Sequence, residues 1–178
     1  MLLQIVYLLI PAAIANIVPV IARKINFLNY PVDFGFKLGK NRLFGENKTF
    51  RGFFFGILFS ILVVYLQKLL FGTYYFNALS LVNYNSINFI LFGFLIGFSV
   101  LFGDLIGSFI KRRFNFKSGE SFYFLDQVNS ALGLVILFVP FYFTNYLEIS
   151  FWVLIVWTLG HLIVKYVGYF FGFDDKKV

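Results

Sequence analysis

The chain has 178 residues, of which 60% are hydrophobic and 13% charged, and it carries a formal net charge of +7. This apolar excess, with a mean hydropathy of +0.84, excludes a soluble globular domain and points to a polytopic membrane protein. Cys is absent and His occurs once, so thiolate chemistry and a histidine metal cluster are excluded, and a metal site would be built from oxygens, which suits Mg²⁺ or Mn²⁺.

A first span is expected over about 2–22. No positive charge precedes Arg23, so it reads as an uncleaved helix, with Asn16 and Pro19 expected to break or kink its inner half. A long polar connection follows, about 23–51, carrying Arg23, Lys24, Lys37, Lys40, Arg42, Lys48 and Arg51. Its second half, GKNRLFGENKTFRG, mixes cations with glycines in a way that can wrap phosphates, although basic residues at a membrane rim also simply set topology or attract anionic lipid. Span two is expected over about 53–71, an uncharged Tyr- and Asn-rich connection over 72–88, and span three over about 89–110.

The third connection, from Lys111 to about Ser121, is again basic, with Arg112, Arg113 and Lys117 beside Gly119 and Glu120. Span four is expected over about 122–142 and span five over about 149–171, the latter carrying Trp157, His161 and Lys165 on one face. There His161 reads more readily as a packing residue than as a catalyst, and Lys165 as snorkelling to the interface. The basic connections and the Lys176–Lys177 tail fall on one side if five helices cross, so the positive-inside rule puts the N-terminus outside and the C-terminus in the cytoplasm. The expectation is an all-α membrane bundle of five transmembrane helices, one domain over 1–178, in the cell membrane with its site facing the cytoplasm.

The chemistry concentrates in GDLIGSFIKRRFNFKSGESFYFLDQVNSALG, from Gly103 to Gly133. On helices, Asp104, Ser108, Lys111 and Arg112 share one face, and Asp126, Asn129, Ser130 and Gly133 share another. The two carboxylates are expected at similar depth, facing each other below the rim. A carboxylate there is costly unless paired or metal-bound, and two repel unless a cation lies between them. One reading is a divalent-metal site for phosphoryl or nucleotidyl transfer between a water-soluble and a lipid substrate. Another is structural, with Asp104 ion-paired to Lys111 or Arg112. A third is a cation transporter using Asp104 and Asp126, which leaves the long basic loop idle.

The same stretch resembles the signature of the CTP-dependent lipid cytidylyltransferases, a G-D-x(3)-S-x(2)-K-R segment followed by one like D-[RQ]-x-D. With its shorter spacing, the loop KNRLFGENKTFRG and the ANIVP of span one, it is more specifically similar to the small archaeal CDP-archaeol synthase branch. The resemblance implies that CTP and an unsaturated archaetidic acid give a CDP-lipid and pyrophosphate. Asp104 and Asp126 would be Mg²⁺ ligands. Lys111 and Arg112 would hold phosphates, and Asn41, Arg42, Lys48 and Arg51 would clamp the triphosphate or the lipid phosphate, with Ser108 and Asn129 beside the substrates. Asn129 stands where a second Asp is usual, which makes one metal contact neutral or water-mediated. The expected partners are CTP, a lipid phosphate and the bilayer, with no nucleic acid; a diacyl lipid is the alternative substrate.

Overall fold

The computed structural model describes residues 1–118, 120 and 122–170, excepting the side chains of 123–125, 165 and 167–170. The readings placed on Gly119, Ser121, the Lys165 side chain and the 174–177 tail lie outside the described residues. Helix α1 (Leu2–Ile21) runs without a break through Pro11 and Pro19 and ends in a 3₁₀ turn, Ala22–Lys24. The expected break at Pro19 is therefore not seen. Pro19 cannot donate to the Ala15 carbonyl one turn back, and Gly56 of α2 (Phe50–Leu70) approaches that carbonyl too closely for any side chain.

Helix α2 starts earlier than expected because Thr49 caps it, its hydroxyl accepting the Gly52 N–H at 3.3 Å. A short helix α3 (Tyr74–Leu79) lies in the next connection, and α4 (Phe89–Arg113) begins at an Asn88 cap. Lys111, Arg112 and Arg113 thus form the last turn of α4, where cations oppose the negative end of the helix dipole. The fourth expected span is divided into α5 (Tyr123–Leu137) and α6 (Val139–Tyr142), with the break at Phe138, two residues before Pro140. Helix α7 covers Tyr146–Phe170. Among the described residues four helices, α1, α2, α4 and α7, are long and apolar enough to cross a membrane; the fourth expected span is the shorter apolar pair α5–α6.

Helix α4 lies at the centre, packing on α1, α2 and α5, while α7 closes against α1 and α5. A departure from the all-α expectation is a hairpin in the first connection, β1 (Lys37–Leu38) with β2 (Asn41–Arg42), turned at Gly39, whose φ of +67° favours glycine. At the end away from the basic connections, Gln67 donates to the Tyr7 carbonyl at 2.7 Å and accepts from the buried Tyr84 hydroxyl at 3.1 Å. That end is a sealed aromatic core. The other end carries the site.

Candidate active site

The close approach of α4 and α5 sets the register of the two carboxylates. Gly103 lies against the Asn129 carbonyl, Gly107 against the Asn129 amide and Gly133 against the Ser99 carbonyl, so that a methyl group at any of them would collide. This antiparallel register sets Asp104 level with Asn129 and puts Asp126 about one helical turn, roughly 5 Å, nearer the loop end. The two carboxylates, expected at similar depth, are therefore staggered by about one turn.

Each carboxylate is paired with a lysine, but not with the partners that spacing along one helix suggests. Lys48, from the first connection, ion-pairs with Asp104, both side chains being about one-quarter to one-third exposed. Its backbone is pinned by the Val32 N–H, which donates to the Lys48 carbonyl at 2.8 Å, and by the Pro31–Thr49 bridge beside it. Lys111 reaches across to α5, its Nζ lying 2.6 Å from Asp126 Oδ1. Asp126 Oδ2 also accepts the Phe122 N–H at 2.9 Å, so the carboxylate lies in the first turn of α5, at the positive end of its dipole. Both carboxylates lie within Coulombic reach of His161 on α7.

Of the remaining expected residues, Arg112, Asn41, Arg42 and Arg51 bond to the connections, while Ser108 and Asn129 bond within their own helices. Arg112 is buried and donates to the Phe116 and Phe44 carbonyls, the latter at 3.4 Å. Asn41 donates to the Arg112 carbonyl at 2.9 Å and to Asn115 Oδ1 at 2.7 Å. Arg42 pairs with Asp33 at 2.5 Å and with Glu46 at 3.3 Å. Arg51 is buried, donates to the Ile25 carbonyl at 2.6 Å, and keeps its Nε without a partner among the described residues. Ser108 is buried and donates back to the Asp104 carbonyl at 3.0 Å, one turn earlier on the same helix. Asn129 is 8% exposed; its Oδ1 accepts the Ser130 N–H at 2.7 Å.

Two residues to which the sequence reading gave no role organise the loop. Asp33 has a fully buried side chain that takes N–H bonds from Gly35 (3.0 Å), Phe44 (3.2 Å) and Gly45 (3.2 Å) besides its Arg42 pair. Burial alone would raise its pKa, but Arg42 and the three N–H groups outweigh it and hold the carboxyl at about 2. The sequence signal was Pro31-Val-Asp-Phe-Gly35, an Asx-turn pattern. Arg113 donates to the Leu38 carbonyl at 3.0 Å and the Arg42 carbonyl at 2.7 Å, and lies over the Phe109 ring at 5.0 Å.

On the far side of the carboxylates, Asn16 Nδ2 lies 3.4 Å from His161 Nε2, bridging α1 and α7. Both residues line an apolar groove of about 260 Å³ with Ala13, Trp157 and Gly160. Among the described residues no group of three or more His, Cys, Asp or Glu converges on one point.

Comparison with known proteins identifies the family. The family model described as "CarS-like: CDP-archaeol synthase" matches residues 1–177. A CDP-archaeol synthase of Methanococcus maripaludis strain C7 is 38% identical over 80% of this chain and 78% of its own. One of Archaeoglobus fulgidus is 37% identical over 78% of this chain and 79% of its own. A solved structure of an intramembrane enzyme for archaeal membrane lipids biosynthesis superposes with a TM-score of 0.65 at 26% identity, covering 89% of this chain and 90% of that one. The chain belongs to the CarS-like family of CDP-archaeol synthases.

Proposed function

We infer that this chain transfers CMP from CTP to an isoprenoid glycerol ether phosphate, giving a CDP-lipid and pyrophosphate. The observation that carries the reading is the double pairing Lys48–Asp104 and Lys111–Asp126 at the basic end of an apolar bundle. Two partly exposed carboxylates offer hard oxygen donors suited to Mg²⁺, which would polarise the phosphate oxygens when bound. Lys48 and Lys111, released from the carboxylates, turn to the phosphates and neutralise the departing pyrophosphate. A lipid phosphate oxygen forms the new bond to the α-phosphorus of CTP as the α–β bridging bond breaks. No protein nucleophile is needed.

Arg112, Asn41 and Arg42 act by holding the loops in place, and Arg51 keeps one donor to offer a phosphate. The active end faces the cytoplasm, because the first and third connections carry the loop cations while the connection over 72–88 has neither Lys nor Arg. The whole chain works as one domain. The test supplies radiolabelled CTP and Mg²⁺ to protein in detergent, with bis-geranylgeranyl ether and diacyl glycerol phosphates in parallel. Label is expected in the ether lipid; label in the diacyl lipid alone would move the substrate, and label in neither would overturn the reading.

A further inference from the structure

Beside the α4–α5 contact lies a second groove, of about 220 Å³, lined by Phe102, Ile106, Gly107, Asn129, Leu132 and Ile136 among others. Its walls are apolar, and Ile106, Leu132 and Ile136 are exposed on its rim. One polar group interrupts it. The Asn129 side chain is more than nine-tenths buried, its oxygen is engaged by Ser130, and its Nδ2 has no hydrogen-bond partner among the described residues. That nitrogen lies against Gly107, where even a methyl group would collide with it. A buried amide N–H without an acceptor is costly, which favours any state that brings one.

We propose that Asn129 positions the lipid substrate by donating from Nδ2 to a linkage oxygen of its glycerol, with the first part of a chain lying in the α4–α5 groove. The proposal rests on the cytidylyltransferase reading and adds to it a residue that reads the glycerol. Asn129 lies one turn from Asp126 on α5, further from the loop end. A lipid whose phosphate reaches Asp126 and Lys111 therefore has its glycerol oxygens at the depth of the Asn129 amide and its chains deeper still. Asn129 also bounds both environments, level with Asp104 across the helix contact and part of the groove wall. With Oδ1 taken by the Ser130 N–H, the amide has nitrogen rather than oxygen left to offer. It therefore suits an ether oxygen and not the metal contact its place in the motif suggests.

The test compares the bis-ether lipid phosphate with an analogue whose glycerol ether oxygens are replaced by methylenes, using wild type, Asn129→Leu and the shape-conserving Asn129→Asp. Wild type is expected to prefer the oxygen-bearing lipid about tenfold in kcat/KM, the scale of one buried hydrogen bond. Both variants are expected to lose that preference through the lipid KM, with the CTP KM unchanged. If Asn129→Leu does not fold, Asn129→Asp decides alone. Preference retained in a folded variant, a shift confined to the CTP KM, or a wild type that uses both lipids equally would overturn the proposal while leaving the reaction intact. A wild type that transfers no label to either lipid would overturn the reaction and the proposal together.

Discussion

Lys111 on α4 and Asp126 on α5 meet across the helix contact, Nζ to Oδ1 at 2.6 Å, although they are fifteen residues apart with a connection between them. The pair ties the last turn of one helix to the first turn of the next, where both helix dipoles favour those charges.

Replacing Asp126 by Asn is expected to reduce CMP transfer by about a thousandfold, the scale of removing one transition-state electrostatic contact. The pair is partly solvated, so the loss of stability should stay near about 1 kcal/mol. A thermal-shift measurement beside the transfer assay checks both numbers.

Asp33 sets the shape of the basic loop, and Asp33→Asn leaves Arg42 with Glu46 as its one charged partner among the described residues. Breaking so buried a pair costs on the order of 3 kcal/mol, here local to the loop. Limited proteolysis should then cut between residues 30 and 48 far faster than in wild type, and the CTP KM should rise.

The same carboxyl gives a pH signature. Its folded pKa of about 2 lies below the ordinary value of 3.8, so the ionised form stabilises the loop. That contribution is complete above pH of about 4 and is lost as pH falls from there through about 2. A carbon-13 titration of the Asp33 carboxyl should show a midpoint near 2; an ordinary midpoint would contradict the buried pair.

Gly103→Ala is expected to push α4 away from the Asn129 carbonyl. Overpacking of this kind typically costs about 1–3 kcal/mol, and the displaced register should lower transfer with both lipid and CTP at saturation. Gly160→Ala, inside α7, meets nothing within contact distance and should not lower the melting temperature, which makes it the matched control.

Much of this fold was legible in the sequence because apolar runs long enough to cross a bilayer have few alternatives. The expected ends of α1 fall within a residue of those observed. Pro140 was visible, yet its effect on span four needed tertiary context: the break falls at Phe138, whose ring packs against Phe92 and Tyr142. The β1–β2 hairpin was missed because its strands are too short to show alternation. In the site, periodicity placed Asp104 and Asp126 on inward faces, but it speaks only of one helix at a time. Which lysine meets which carboxylate depends on where Val32 and Thr49 hold Lys48 and on the glycine contacts that fix the α4–α5 register. For the same reason Arg112, legible as a cation of the motif, is engaged by the Phe44 and Phe116 carbonyls, and the role of Asp33 emerged only with the loop.

The most direct test of the site is CTP binding and single-turnover CMP transfer measured together, with Mg²⁺, on wild type, Lys48→Met, Lys111→Met, Asp104→Asn and Asp126→Asn in lipid nanodiscs. The pairing predicts that both lysine variants fold normally and bind CTP at least about tenfold more weakly, the scale of a charge-assisted phosphate contact. It also predicts that both aspartate variants lose transfer. Folded lysine variants with wild-type CTP affinity, or transfer surviving in Asp104→Asn, would contradict it.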